Sequence, residues 1–441
     1  MVIRLIETAY RLLWGDLFTI PLKNSSIGIS LMLLLLIPAG IYFTIRTHLL
    51  PIRLFPDMLR ALSEKKEHPD NLSSLQTLII STATRVGMGN LVGIVAALSA
   101  GGAGALFWMW VTALLGSATA FIEATLAQLH KQPDPLYGGY RGGPAYYIHD
   151  WINSKRQKQG TPVSKKNLLS VLFALSGLIC WCGISQVISN SVSSAFENAF
   201  QIPPLVTTII LVILSAVIVL QRNATVKLLD ILVPIMAGGF FVITLFIIAR
   251  NLTLLPSVFS RIFSEAFGLR QAVSGGFGAV LMNGVKRGLF SNEAGSGSAP
   301  CAAAAAHSND PVRTGLTQAL GVLIDTIVVC SCTAMIMLLA PEDLTAGLTG
   351  MDLLQTAMHH HLGAIGVIFI ALTLALFSFS TFIGILFYAR SNVSYLFGNR
   401  WCFQTAYKVL ALIMLFIGGL QKYTVVWDLG DVGIGLMRLF N

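Results

Sequence analysis

Charge is what this sequence lacks. Asp, Glu, Lys and Arg make up 11% of 441 residues against 55% hydrophobic, where a soluble domain carries roughly 25% charged residues. So few charges cannot cover a water-facing surface, which excludes an ordinary soluble enzyme or nucleic-acid-binding domain. Cysteine is scarce too: Cys180, Cys182, Cys301, Cys330, Cys332 and Cys402. These lie almost entirely in apolar stretches, and none has zinc-ligand spacing with a histidine, so they are expected to be buried, inert thiols. No cleavable leader is evident. Residues 1–14 mix apolar positions with Arg4, Glu7 and Arg11, the pattern of an interfacial helix. Phosphate-loop, metalloprotease and nucleophile-elbow patterns are missing from any suitable context, so no enzyme is expected.

Long apolar runs, by contrast, dominate. A helix needs about 20 mostly apolar residues to cross a bilayer. Eleven segments qualify: 27–44, 75–100, 104–129, 168–190, 204–220, 226–249, 276–306, 314–340, 362–389, 401–419 and a short 425–440. The predicted fold class is an all-α multi-pass membrane protein with about 11 transmembrane helices in one domain, 1–441. The net charge of +9 sits in alternate loops: Arg53, Arg60, Lys65 and Lys66 in one, seven Lys or Arg from Lys131 to Lys166 in another. The opposite loops hold little beyond Arg261, Arg270 and Lys422. By the positive-inside rule the N-terminus is outside and the C-terminus cytoplasmic.

Segments 75–100 and 276–306 stand apart, each long and each interrupted by a glycine-rich polar patch. They enter the membrane from opposite sides, five segments apart. Paired discontinuous helices of this kind mark the midplane site of a transporter. Residues 75–250 and 276–441 are therefore predicted to form a five-plus-five inverted repeat, with 1–70 supplying the interfacial helix, first span and basic loop. The second repeat is expected to be shortened at its C-terminal end.

The first patch is Thr84-Arg85-Val86-Gly87-Met88-Gly89-Asn90. Its glycines permit an unwound turn. A helix N-terminus beginning near Asn90 suits a carboxylate, and freed carbonyls suit a small cation. The alternative is a glycine hinge or close helix contact. The second patch is Phe290-Ser291-Asn292-Glu293-Ala294-Gly295-Ser296-Gly297-Ser298, costly in hydrocarbon unless it lines a cavity or binds something. Glu293 suits a substrate amine, a cation, or an ion pair with Arg85 or Arg287. A third, around Ser380 and Thr381, offers hydroxyl oxygens that either ligate sodium or bond back to their own helix. Glu123, Asp325 and Asp431 are intramembrane carboxylates and so functional candidates or halves of buried pairs. His359, His360 and His361 are expected at a solvated loop edge.

The run Gly101-Gly102-Ala103-Gly104-Ala105-Leu106-Phe107-Trp108-Met109-Trp110 resembles the fingerprint GG-x-G-A-(aliphatic)-F-W-M-W of the alanine or glycine:cation symporters, also called sodium:alanine symporters. Arg85–Asn90 as R-V-G-x-G-N, 141–147 as R-G-G-P-A-Y-Y, 290–297 as F-S-N-E-A-G-x-G and Ile324-Asp325-Thr326 are similar to that family in the same order. The resemblance implies the broken-helix fold of leucine-type amino-acid transporters, with sodium or proton coupling. It implies that backbone N–H groups of Gly87, Met88 and Gly89 hold a substrate carboxylate and that Phe290 borders the side-chain pocket. Thr84, Asn292, Glu293 and Gly295 complete the candidate substrate contacts. Asn90 and Ser291 would flank one cation, and carbonyls of Ala83 and Val86 with Ser380 and Thr381 would hold a second Na+. Two departures from the family pattern stand out. Ile188 occupies the position two before Asn190 where relatives usually show Gln, and relatives continue beyond residue 441 with an apolar stretch.

The expected function is import of a small neutral amino acid (alanine or glycine, possibly D-alanine) with sodium through the bacterial inner membrane. No cofactor beyond the coupling ion and no nucleic acid is expected. A proton-coupled carrier of the same fold and a truncated, non-transporting paralogue are the alternatives.

Overall fold

The computed structural model describes residues 2–22, 25–62, 87–221, 225–269, 276–306 and 310–441. Helix α1 (Val2–Trp14) leads into an antiparallel hairpin, β1 (Asp16–Leu22) and β2 (Ser25–Ser30), paired from Asp16 with Ser30 to Leu22 with Ser25. The hairpin takes the head of the segment expected as a span from residue 27. There Ser26-Ile27-Gly28-Ile29-Ser30 alternates with the period of a strand. Helix α2 (Leu31–Arg46) starts where Ser30 caps it, its Oγ accepting from Leu33 N at 3.2 Å.

Beyond the basic loop the described part of segment 75–100 is a π-helical turn, Gly89–Gly93, running into α3 (Ile94–Gly101). Then come α4 (Gly104–Leu129), α5 (Pro144–Lys158), α6 (Leu168–Phe200), α7 (Pro204–Val219) and α8 (Thr225–Arg250). Neither α5 nor α9 (Leu255–Ala266) was anticipated. The end of α8 and the segment Leu252–Ala266 meet at 74°. Val258 and Ile262, four apart, are buried while Phe259 and Phe263 are exposed, a helical period hidden by the low net hydrophobicity of the stretch.

Segment 276–306 is two helices, α10 (Phe277–Asn292) and α11 (Ser298–Ala305). A second π-helical stretch, Ile324–Cys330, joins α12 (Pro311–Leu323) to α13 (Ser331–Leu338). The chain continues through α14 (Gly350–Leu362), α15 (Ala364–Phe397), α16 (Trp401–Gly418) and α17 (Tyr423–Phe440). Among the described residues, five helices are long and apolar enough to cross a membrane unaided, or six if the bent pair counts as one span. The other expected segments hold helices that are shorter, split or charge-bearing, such as α17 with Asp428, Asp431 and Arg438.

The histidines belong to the last turn of α14 rather than a loop. His359 and His360 are exposed, and His361 is half-buried with Nε2 2.9 Å from the Ile336 carbonyl. Five cysteines are buried, but Cys402 is exposed.

Two packing groups emerge. Helix α4 lies along α10 and α12, and α6 lies along α15, α16 and α17. Small residues let α6 and α17 touch: a Cβ on Gly433 would stand 2.3 Å from Cys180 Cα, and one on Gly183 3.0 Å from Gly430 Cα. Gly433→Ala therefore forces the helices apart and should cost about 1–3 kcal/mol, as overpacking does. Gly238→Ala, where nothing lies within 4 Å, should leave the melting temperature of the purified protein unchanged or slightly raised, because Ala favours helix. Equal melting temperatures for the two variants would contradict the close crossing.

Candidate functional site

The break in the second split span is held by short-range chemistry. Glu293 adopts left-handed backbone (φ 55°), as do Gly295 (75°) and Gly297 (76°). Asn292 Oδ1 accepts from Ala294 N at 3.0 Å, closing the turn. Ser296 Oγ donates to the Glu293 carbonyl, and Ser298 Oγ donates to Glu293 Oε2, both at 2.6 Å. Gly295 N donates to Glu123 Oε2 of α4 at 3.1 Å, so Glu123 anchors the turn across helices. At Gly297 a Cβ would stand 2.4 Å from Pro144 Cγ and 2.7 Å from Phe173, which fixes glycine there.

The first split span meets the second at this level. Gly89 and Gly93 face Phe290: a Cβ on either would lie 3.7–3.8 Å from its ring. Next to them the two π-helical stretches point polar side chains at each other. Asn90 Nδ2 donates to Asp325 Oδ1 at 2.7 Å, and Ser291 Oγ lies 2.8 Å from Asp325 Oδ2 and 3.1 Å from Asn90 Oδ1. Thr326 Oγ1 is 3.1 Å from Asp325 Oδ2, and Cys330 Sγ is 3.0 Å from Ser291 Oγ. All five residues are buried. A carboxylate, an amide oxygen and two hydroxyls in one buried cluster form the donor set that a hard cation takes.

The third patch joins through one bond. Thr381 Oγ1 accepts from Met88 N at 3.2 Å and donates back to the Phe377 carbonyl at 2.8 Å; Ser380 Oγ also bonds back to Phe377, at 2.9 Å. Both hydroxyls bond back to their own helix in this arrangement, while Thr381 additionally ties α15 to the split span.

Above Phe290 lies an aromatic stack that was not among the sequence candidates. Trp427 sits 5.0 Å from Phe290 between ring centroids, and Tyr423 6.0 Å from Trp427. The Arg287 guanidinium is 4.1 Å over Trp427. Arg287 also bonds Asp431 with two prongs, at 3.0 and 3.2 Å, and Lys286 Nζ lies 2.5 Å from the same carboxylate. Asp431 is therefore the partner of Arg287, not Glu293. Tyr423, Trp427 and Asp431 recur every fourth residue, a single helical face visible in the sequence. Tyr423 also lines a cavity of about 580 Å³ whose walls include Val92, Asn190, Glu197, Thr349 and Asp352. Among the described residues, two carboxylates and no Lys or Arg line it.

The candidate set therefore divides. Phe290, Ser291, Gly89 and Asn90 come together, with Met88 beside Thr381. Gly295 does not join them: its N–H is taken by Glu123, and a Cβ there would face Leu36 and Thr119. Asn292 uses its oxygen in the turn, and its Nδ2 is buried without a hydrogen-bond partner among the described residues, on the Gly116 side. Glu293 is half-buried and bonded to Ser298. Ala83, Thr84, Arg85 and Val86 lie outside the described residues. Asp325 enters the cluster by contact, where the sequence placed it only as an intramembrane carboxylate.

The model of the sodium:alanine symporter family matches residues 18–441. The chain belongs to that family. A probable sodium/glutamine symporter of Bacillus subtilis is 40% identical over 426 residues, covering 95% of this chain and 86% of that protein. An amino-acid carrier protein of the same organism is 38% identical over 411 residues, covering 92% and 84%. A sodium/alanine symporter of Methanococcus maripaludis is 34% identical over 426 residues, covering 95% and 91%. In fold the chain is similar to MhsT, solved in complex with L-phenylalanine, with a TM-score of 0.57 at 14% identity over 83% of this chain and 87% of that one. Membership makes this symporter-family protein a multi-pass membrane transporter of the broken-helix fold, a cation-coupled carrier of amino acids.

The aromatic fingerprint is architectural in this family member. Trp108 Nε1 donates to the Ala266 carbonyl and Trp110 Nε1 to Ser331 Oγ, at 3.0 and 2.8 Å. A Cβ on Gly104 would stand 2.4 Å from Ala266 N, so α4 presses directly on α9.

Gly89 differs from Gly297 in having room for a methyl group. Gly89→Ala should melt like wild type, or slightly higher because Ala favours helix, yet lose about tenfold in uptake by filling the space before Phe290. Asp325→Leu strips the acceptor from Asn90, Ser291 and Thr326 and should cost about 3–5 kcal/mol, as breaking a buried polar network does. Thermal melts of both variants beside isotope uptake check the contrast.

Proposed function

We propose that the protein is a secondary active symporter that imports a small neutral amino acid, alanine or glycine and possibly D-alanine, together with sodium. It sits in the bacterial inner membrane with the N-terminus outside and the C-terminus cytoplasmic. The observation that carries this reading is the meeting of the two interrupted spans, where a glycine face opposes Phe290 beside the oxygen cluster of Asn90, Ser291 and Asp325.

Size supports the substrate class. The Gly89–Gly93 face is within van der Waals reach of the Phe290 ring, which favours a side chain no larger than a methyl group over the longer arm of glutamine. Charge supports the ion. The cation is bound by Asn90 Oδ1, Ser291 Oγ and the Asp325 carboxylate, with the hydroxyl protons turning away to free lone pairs. Ala83, Val86, Ser380 and Thr381 are assigned a second sodium. Backbone N–H groups of Gly87 and Gly89 take the substrate carboxylate, while that of Met88 is shared with Thr381.

Transport runs by alternating access. The cavity bearing Glu197 and Asp352 is the outer vestibule, whose carboxylates concentrate cations at its mouth. Tyr423 and Trp427 separate it from Phe290, so this stack opens and closes the outer path. One positive charge moving inward contributes about 2.3 kcal/mol per 100 mV of membrane potential, which drives accumulation against the substrate gradient.

Isotope uptake into proteoliposomes tests the assignment, using alanine, glycine, D-alanine and glutamine with sodium or choline outside. Sodium-dependent alanine or glycine uptake is expected, with Asn90→Leu and Ser291→Ala weakening the sodium dependence while the protein still inserts. Uptake indifferent to sodium that collapses with the proton gradient would establish the proton-coupled reading instead. Absence of counterflow by the purified carrier would leave the non-transporting reading standing.

A further inference from the structure

Two helices distant in sequence bring their last turns together outside the transport site. Helix α8 ends in Arg250 and α14 in His359, His360 and His361. Between them lies a cavity of about 130 Å³ lined by Phe246, Ile247, Arg250, Asn251, His360 and His361. Among the described residues, no carboxylate lines it. Arg250 and His360 make no ion pair among the described residues. Asn251 Nδ2 is spent on the Ile247 carbonyl at 2.8 Å, and His361 Nε2 lies 2.9 Å from the Ile336 carbonyl. Basic residues at a helix C-terminus complement its dipole. That accounts for each helix end separately; the shared hollow in addition brings together one fixed guanidinium charge and a ring that can donate an N–H, a donor set suited to an anion.

The surroundings indicate which anion. Phe246 is 50% exposed and Leu252, immediately beyond Asn251, is 59% exposed; Ile365, four residues beyond His361, is 77% exposed. Large apolar side chains this open on a membrane-crossing bundle are covered by acyl chains. A guanidinium at the end of such a stretch reaches headgroup depth.

We propose that this cavity is a phosphate-group site at the membrane interface, occupied by the headgroup of an anionic phospholipid. Arg250 pairs with two phosphate oxygens through its planar fork, and His360 supplies a ring N–H to a third. Phe246, Leu252 and Ile365 cover the upper acyl chain. The site is separate from the transport cluster and does not depend on which amino acid or ion is carried.

The test is native mass spectrometry of the delipidated full-length protein titrated with phosphatidylglycerol. A phosphate-free glycolipid of the same chain length and inorganic phosphate serve as the other probes. One persistent phosphatidylglycerol adduct is expected, with affinity reduced about tenfold or more by Arg250→Gln or His360→Gln, the scale of a lost charge-assisted bond. Arg400→Gln, an exposed basic position elsewhere, should leave it intact. If one of the two variants does not fold, the other carries the same comparison. An adduct that resists millimolar inorganic phosphate identifies the lipid as the source. Displacement by phosphate alone identifies a free-anion site and overturns the lipid assignment. Equal retention of the glycolipid, or unchanged adduct in both variants, overturns the site itself.

Discussion

A helix interrupted inside a bilayer leaves peptide N–H and C=O groups with no water to bind, and each unsatisfied group costs several kcal/mol in hydrocarbon. The two breaks in this protein exist only because neighbouring helices deliver polar atoms to them. Thr381 of α15 accepts from Met88 N, Glu123 of α4 accepts from Gly295 N, and Asn292 accepts from Ala294 N within the turn. These side chains sort themselves by that requirement. Those occupied with backbone are part of the scaffold of the break, and those facing the other split span are available to a ligand.

The same requirement organises the packing. The helices carrying the breaks lie with α4 and α12, whereas α6, α15, α16 and α17 form the second group. Thr381–Met88 is a neutral hydrogen bond between the groups, of net worth about 1 kcal/mol, and can be remade easily during a conformational cycle. The Asn90–Ser291–Asp325 cluster lies wholly within the first group. A cation bound there stays with its ligands as the groups move.

Much of this was legible in the sequence because membrane spans advertise themselves. Helices stand at the expected segments, and the break at Glu293–Gly297 follows from glycines amid polar residues in an apolar run. What stayed hidden was set by tertiary contact. Pairing of Arg287 with Asp431 rather than Glu293 joins residues 144 positions apart. Whether Gly295 lines a pocket or receives Glu123 depends on which side of a left-handed turn faces α4. The strand β2 and helix α9 were concealed for another reason. One alternates within an apolar stretch, and the other is too amphipathic to register as a span.

Asp431 links three elements, its backbone carbonyl reaching α1 and its carboxylate reaching α10. Arg287 and Lys286 of α10 neutralise it, Lys286 Nζ is also 2.6 Å from the Tyr10 hydroxyl, and Trp14 Nε1 donates to the Asp431 carbonyl at 2.9 Å. Pulling α10 from α17 strands opposite charges in a medium that cannot solvate them, a penalty of about 3–5 kcal/mol. At 1.4 kcal/mol per decade that slows any separation by roughly two to four powers of ten. The amino-terminal helix thus braces the joint that carries the aromatic stack, through Tyr10 on Lys286 and Trp14 on the Asp431 carbonyl.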